Sequence, residues 1–105
     1  MRVRFKLWLE KEGEPIISEG KYRLLKEIEK SGSILGAAER LGLSYKRAHC
    51  QIKTMEERLG MKIVERRRGK GARLTKGGKD LLDYYEGVVQ EFQRLAERFG
   101  KPSGR

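Results

Sequence analysis

The chain has 105 residues, a net charge of +10 and an isoelectric point near 10. This length suits one domain with a modest core, and no apolar run is long enough to cross a bilayer or to form a signal peptide near Met1. The single cysteine, Cys50, excludes an internal disulfide, and the single histidine argues against a dedicated zinc site. We therefore expect a cytoplasmic, nucleoid-associated protein without a cofactor, whose partner is a polyanion.

The first ten residues alternate between apolar and polar side chains. A period of two predicts a half-buried strand from Met1 to Glu10, and Gly13 to Pro15 should end it. One side of the strand carries Val3, Phe5, Leu7 and Leu9. Trp8 lies on the other, polar side. We expect it to pack under a helix or a second subunit, with stacking on a nucleobase as the alternative.

A helix is predicted from Ser18 or Glu19 to about Lys30. Tyr22, Leu25 and Ile28 form its apolar stripe. The charges on this helix are mixed in sign, so we interpret it as a scaffold helix behind the next two helices.

Residues 33–60 predict two short helices joined by a tight turn. Ser33 and Ser44 are good N-cap residues, and Gly42 and Gly60 are good helix stops. The second helix has its apolar residues at spacings of 4, 3 and 4, which define one helical face: Ala48, Ile52, Met55 and Leu59. These are the features of a helix-turn-helix.

The other face of the second helix carries groups that can donate hydrogen bonds to DNA. A rotation of about 100° per residue puts Lys46, Cys50 and Lys53 opposite the apolar face. Arg47, His49 and Thr54 lie on its flanks. Such a helix fits the major groove, where these groups can reach phosphates and base edges. The alternative is an ordinary solvated basic face.

After Gly60 the pattern predicts a small basic hairpin. Met61, Ile63 and Val64 suggest one strand, residues 69–71 a tight turn, and residues 72–74 the return strand. Its arms and tip carry five cations: Arg66, Arg67, Arg68, Lys70 and Arg73. Residues 44–76 hold eleven cations and three anions, hence +8 of the net +10. We expect a DNA-binding wing, with a disordered basic loop as the alternative.

A final long helix should begin after Thr75 as N-cap and run from Lys76 to Phe99. Its 4-3 repeat is typical of a seam between helices. Leu81 and Leu82 should pack on the same domain. The residues expected at a homodimer seam are Tyr85, Val88, Phe92, Leu95 and Phe99.

The predicted fold is mainly α with a small β component, a winged helix-turn-helix. Its expected order is strand, three helices, two strands and a long helix. Residues 1–75 should form the DNA-binding domain, residues 76–100 a dimerisation or linker helix, and residues 101–105 a flexible tail.

The segment from Ser44 onward resembles the DNA-binding domain of LysR-type regulators. Residues 55–60 match that family's ending of the recognition helix, and residues 74–78 match the start of its linker helix. The chain is also similar to the N-terminal domain of ModE-type, molybdate-dependent regulators over Arg2 to Phe99. The matching segments are RFKLWLE, the SGSI…AA…LG-SYK pattern and the Gly-Lys-Gly of the hairpin.

The resemblance implies a double-stranded DNA partner. It places five residues at the DNA-facing start of the recognition helix: Ser44, Tyr45, Lys46, Arg47 and His49. Tyr45 also borders the apolar face and could be partly core. ModE-type regulators continue with oxyanion-binding domains that have no counterpart in this sequence, so we expect no small-molecule ligand and no molybdate control within this chain.

The expected function is that of a homodimeric, DNA-binding transcription regulator. A non-specific architectural DNA-binding protein and an adaptor that uses the winged helix for protein contacts remain as alternatives. An enzyme is disfavoured, because no nucleophile motif or catalytic carboxylate pair is evident.

Overall fold

A computed structural model describes residues 1–69 and 71–100, so the predicted tail and Lys70 of the predicted wing lie outside the described residues. The elements in chain order are β1 (Leu9–Lys11), β2 (Glu14–Ile17), α1 (Glu19–Ser31), α2 (Ile34–Leu41), α3 (Tyr45–Leu59), β3 (Val64–Arg67), β4 (Gly71–Leu74) and α4 (Lys76–Gly100). β1 pairs with β2, and β3 pairs with β4, both antiparallel.

The core lies between α1, α2 and α3, and small residues let α2 and α3 approach closely. Fully buried side chains come from all three helices: Leu24, Leu25, Ile28, Ala37, Ala38, Ala48, Ile52 and Met55. Burying a large apolar side chain contributes about 1.5–3 kcal/mol. The predicted apolar stripe of α3 is confirmed at Ala48, Ile52 and Met55, and Leu59 is partly buried against this core.

The predicted caps of α2 and α3 are confirmed. The Oγ of Ser33 accepts a hydrogen bond from the Gly36 amide at 2.9 Å, and the Oγ of Ser44 accepts one from the Arg47 amide at 3.1 Å. Gly42 ends α2 in the left-handed region with φ 70°, where a residue without Cβ is unstrained.

The N-terminal strand is shorter than predicted, and the second strand of its hairpin was missed. Residues 1–8 have no regular secondary structure, because β2 has only four residues with which β1 can pair. Glu12 and Gly13 form the turn, with φ 53° and 80°, as a tight hairpin requires. Pro15 continues the chain as part of β2, since an edge strand tolerates proline.

The predicted strand from Met61 begins only at Val64, and Met61 is exposed. The wing is therefore a hairpin of two four-residue strands in which Val64 lies opposite Leu74 and Arg67 lies opposite Gly71.

The first half of α4 packs on its own domain. Leu82 is buried there, as predicted. Tyr85, which the sequence pattern assigned to the dimer seam, is only 3% exposed and packs within its own domain. The Tyr85 hydroxyl donates to the carbonyl of Leu7 at 2.9 Å, and its ring lies 5.3 Å from that of Tyr22. Tyr85 thus joins α4 to α1 and to the N-terminal segment.

A carboxylate adds a second connection between α4 and α1. The Tyr22 hydroxyl donates to Glu86 at 2.6 Å, and the Lys26 ammonium lies 3.1 Å from the same oxygen. The hydrogen bond from Tyr22 is the main reason why the pKa of Glu86 is lowered. Burial, followed by that hydrogen bond, raises the pKa of Tyr22.

These elements form a winged helix-turn-helix, in which α2 and α3 are the helix-turn-helix and β3–β4 is the wing. The predicted fold class is confirmed, with the β1–β2 hairpin in place of a single strand. The second half of α4 extends beyond the core and gives the molecule extents of 56 × 31 × 22 Å.

The start of α4 packs against the base of the wing so closely that it needs glycine. A Cβ on Gly78 would lie 2.2 Å from the carbonyl oxygen of Ile63, whereas a Cβ on Gly87 would meet nothing within 4 Å. We expect Gly78→Ala to lower the free energy of unfolding by about 1–3 kcal/mol, because backbone must move to relieve the clash.

Gly87→Ala is the matched control in the same helix and should raise stability by up to about 1 kcal/mol through helix propensity. Urea unfolding of the two variants measures the difference. Equal midpoints would contradict the close approach at Gly78.

Candidate nucleic-acid interface

The exposed face of α3 is strongly basic. Its buried stripe leaves Lys46, Arg47 and Lys53 exposed, as the sequence predicted, while His49 is half-buried. Cys50 is exposed on the same face. The periodicity of α3 therefore separates an apolar side, which faces the core, from a side that is free for a ligand.

The first turn of α3 is fixed by its cap. The Ser44 side chain already accepts from the Arg47 amide, which leaves its hydroxyl proton for an outside acceptor. Tyr45 is 46% exposed, so it is not a core residue. Its ring lies 6.1 Å from the His49 ring at an interplanar angle of 18°.

The wing is fastened to the end of α3 by the carboxylate of Glu56. Its Oε2 accepts hydrogen bonds from the amides of Ile63 at 2.9 Å and Val64 at 3.2 Å, and its Oε1 lies 3.6 Å from the Lys62 ammonium. The start of the wing is thus bound directly to α3.

The return strand of the wing is fastened to α1. The Ala72 amide donates to the carbonyl of Gly32 at 2.8 Å. The strand comes so close that a Cβ on Gly71 would lie 2.1 Å from that carbonyl oxygen.

Thr75 joins the wing to α4. Its hydroxyl donates to the Lys62 carbonyl at 2.8 Å and accepts from the Gly78 amide at 3.0 Å, and its own amide donates to the Ile63 carbonyl. Thr75 is therefore the N-cap of α4, as predicted, and also a link to the base of the wing.

Within the described residues, a hydrogen bond joins a half-buried side chain of α3 to an exposed side chain of the wing. An Arg66 guanidinium nitrogen lies 2.6 Å from the Nδ1 of His49. These two residues come from the two elements that the sequence predicted to contact DNA, and the structure places them together.

The ten described cations of residues 44–76, which do not include Lys70, divide into two groups. Arg58, Lys62, Arg73 and Lys76 each form an ion pair with a carboxylate. Six others, all exposed, form none within the described residues: Lys46, Arg47, Lys53, Arg66, Arg67 and Arg68. The unneutralised charge therefore lies on the outer face of α3 and on the first arm of the wing and the turn that follows it.

Arg73 differs from the other wing arginines. Its Nε lies 2.8 Å from a Glu65 oxygen across the two strands, and this hydrogen bond lowers the pKa of Glu65. Part of its charge is compensated in the free protein.

Two contacts that the sequence did not predict hold the β1–β2 hairpin on α3. The Arg58 guanidinium donates to the carbonyl of Pro15 at 2.6 Å and pairs with Glu14 at 2.9 Å. The Lys11 ammonium donates to the carbonyl of Leu59 at 3.3 Å. The sequence pattern assigned Arg58 to the basic segment. The sequence offers it no acidic partner three or four residues away, and only this could have suggested a structural role.

Other kinds of site receive no support from the described part of the chain. Within residues 1–69 and 71–100, no three His, Cys, Asp or Glu side chains come together as metal ligands, and no helix is long and apolar enough to span a membrane.

The family model described as bacterial regulatory helix-turn-helix protein, lysR family, matches residues 20–79, which contain α1, the helix-turn-helix, the wing and the start of α4. The chain belongs to this family. The match covers each element that carries or positions the six unpaired cations.

Two curated relatives agree with the resemblance to ModE-type regulators. The molybdenum transport protein ModE of Azotobacter vinelandii is 36% identical over 96 residues, which are 84% of this chain and 36% of that protein. The molybdenum-pterin-binding protein MopA of Rhodobacter capsulatus is 36% identical over 80 residues, 72% of this chain and 30% of that protein. The chain thus spans about a third of the length of these relatives.

Among solved structures, the crystal structure of a CbnR_DBD–DNA complex is similar to this fold. It has a TM-score of 0.63 and 24% identity, and the match covers 75% of this chain and 90% of that chain. At this identity, the likeness concerns the fold.

The wing anchor at Glu56 can be tested with its exposed neighbour Glu57. We expect Glu56→Ala to lower the free energy of unfolding by about 1–3 kcal/mol, because the amides of Ile63 and Val64 lose their acceptor. Faster hydrogen exchange of these two amides should accompany the loss.

Glu57→Ala removes the same charge from the same helix turn and should leave both measurements nearly unchanged, since this residue is exposed. Unaltered exchange at Ile63 and Val64 in Glu56→Ala would show that the carboxylate does not hold the wing.

Proposed function

We propose that this protein is a DNA-binding transcription regulator that acts as a homodimer on double-stranded DNA in the cytoplasm. The observation that carries the proposal is the position of the six unpaired cations on two adjacent elements, the outer face of α3 and the wing. Cations that form no ion pair within the described residues can replace the counterions of phosphates, which supplies much of the affinity for DNA.

The comparisons support this proposal. The chain belongs to a family of bacterial regulatory helix-turn-helix proteins, and the CbnR_DBD structure that shares its fold is a DNA complex. We infer that this chain uses the same fold for the same kind of ligand.

In the proposed complex, α3 enters the major groove. Lys46, Arg47 and His49 contact base edges and nearby phosphates, and Ser44, Tyr45 and Lys53 contact the flanking backbone. Arg66 stays with His49 beside the groove, while Arg67 and Arg68 reach the backbone or the minor groove. The predicted contacts of Lys70 fall outside the described residues. Arg73 contributes less, since Glu65 compensates part of its charge.

The second half of α4 offers a surface for a second copy of the chain. Phe92, Leu95 and Phe99 are 47%, 45% and 68% exposed, and Val88 is half-buried beside them. The ring of Phe5 from the N-terminal segment lies 6.0 Å from that of Phe92 and widens the apolar surface. A patch of this kind favours association, and a two-fold axis would place two α3 helices in successive major grooves about 34 Å apart.

The α3 contacts and the wing contacts should have different signatures. Arg47→Ala should change the base preference. If the guanidinium meets a guanine edge, the variant should lose about 1–3 kcal/mol of binding free energy. The double variant Arg67→Gln/Arg68→Gln should weaken binding to all sequences alike and reduce the slope of log K against log salt by about two units. Fluorescence anisotropy at several salt concentrations measures both.

Arg94→Gln/Arg98→Gln is the matched control, with the same loss of two charges on the second half of α4, and should leave the slope unchanged. Equal slopes for the two double variants would overturn the role of the wing. If competitor DNA displaced the wild-type protein equally well from every sequence, the result would instead indicate a non-specific architectural protein.

The dimer surface can be tested with a single charge. Phe92→Glu should place a carboxylate in an apolar interface and convert the dimer to a folded monomer. Gln90→Glu introduces the same charge about 200° away around α4 and should remain dimeric. Sedimentation velocity at tens of micromolar distinguishes the two, with circular dichroism as a test of folding.

A wild-type chain that sediments as a monomer at this concentration, and binds a single half-site as tightly as a palindrome, would contradict the proposed arrangement.

A further inference from the structure

We infer that Arg66 of the wing fixes His49 of α3 as a hydrogen-bond donor, so that the pair selects a purine N7 in the major groove. This inference rests on the proposed function and deepens it, because it names the chemical group that one position of the recognition helix reads. It also gives the wing a role in base selection through a side chain of α3.

The hydrogen bond between the two residues determines where the imidazole proton lies. A guanidinium has only donors, so Nδ1 of His49 must be the acceptor in the 2.6 Å contact with Arg66. A neutral imidazole that accepts at Nδ1 carries its proton on Nε2. The free edge of the ring therefore presents one N–H donor and no acceptor.

The ring is also held in place. Tyr45, one helical turn earlier, stacks on it at 6.1 Å and 18°. Within the described residues, Nε2 makes no hydrogen bond, although the ring is half-buried and lies between the two basic elements. A donor that is oriented from two sides and has no partner of its own is suited to an outside acceptor.

The chemistry of the major groove then sets the preference. Guanine presents the acceptors N7 and O6, adenine presents N7, and thymine presents O4 beside its C5-methyl group, whereas cytosine presents the N4 amino donor. An Nε2–H donor matches a purine N7, meets the methyl group beside the thymine acceptor and faces a second donor at cytosine. An imidazole that exchanged freely between its two tautomers could pair at Nε2 with either an acceptor or a donor of a base. Arg66 is therefore a positioning residue for this selection.

The state of the ring can be measured without DNA, because His49 is the sole histidine of the chain. Long-range ¹H–¹⁵N spectra of the wild type should show a protonated Nε2 and a hydrogen-bonded, unprotonated Nδ1. Arg66→Met should shift the Nδ1 signal, while Arg68→Met, a matched loss of a wing arginine, should not. A protonated Nδ1 in the wild type, or identical spectra for Arg66→Met, would overturn the inference.

The selection itself is tested with a random DNA library and the wild type, His49→Phe, Arg66→Met and Arg68→Met. His49→Phe keeps an aromatic ring for Tyr45 but has no donor. We expect it to lose one purine position from the enriched motif, Arg66→Met to relax the same position, and Arg68→Met to retain it.

Replacing the purine at that position by its 7-deaza analogue removes only the acceptor. Wild-type affinity should fall about 2- to 12-fold, which corresponds to one hydrogen bond, and His49→Phe should be insensitive. An enriched motif that is the same in His49→Phe, or a wild type indifferent to the 7-deaza base, overturns this inference and leaves the proposed function intact. A wild type that enriches no motif overturns both.

Discussion

The proposed DNA-binding surface depends on the carboxylate of Glu56 at the end of α3. It accepts from the amides of Ile63, just before β3, and Val64, the first residue of β3, and so transmits the position of α3 to the wing. Hydrogen bonds that backbone amides donate to a charged group are about twice as strong as neutral ones, which suits a two-stranded hairpin that would be marginal alone. Gly32 and Thr75 fix the return strand and the next helix, so the wing has three attachments.

The basic charge has two separate uses. Arg58 and Lys62 neutralise carboxylates and connect elements, while the exposed cations of α3 and the first arm of the wing form no ion pair within the described residues. Exposed ion pairs add little stability, so the paired cations matter chiefly for orientation. This division explains how one short segment can be strongly basic and still fold compactly.

Local signals predicted most of the fold. The capping serines, the stop glycines and the periodicity of α3 depend on neighbours within a few residues, and each was confirmed. β2 was missed because Pro15 resembles a strand break until its pairing with Glu10 is known. The burial of Tyr85 and the partners of Glu56 and Arg58 depend on folding, which brings together groups that no local pattern relates. The exposed face of α3 was predictable, but the contact of His49 with Arg66 was not.

The attachment of the wing at its base has an evolutionary consequence. The carbonyl of Gly32 and the pairing of Val64 with Leu74 hold the root of the hairpin, and a side chain at Gly71 would have no room there. At Gly69, by contrast, a Cβ would meet no atom of the described residues within 4 Å. Hairpin tips tolerate insertions and substitutions far better than packed backbone. Descendants of this sequence could therefore lengthen or recharge the tip, and so change the ligand contacts proposed for the wing, without rebuilding the scaffold.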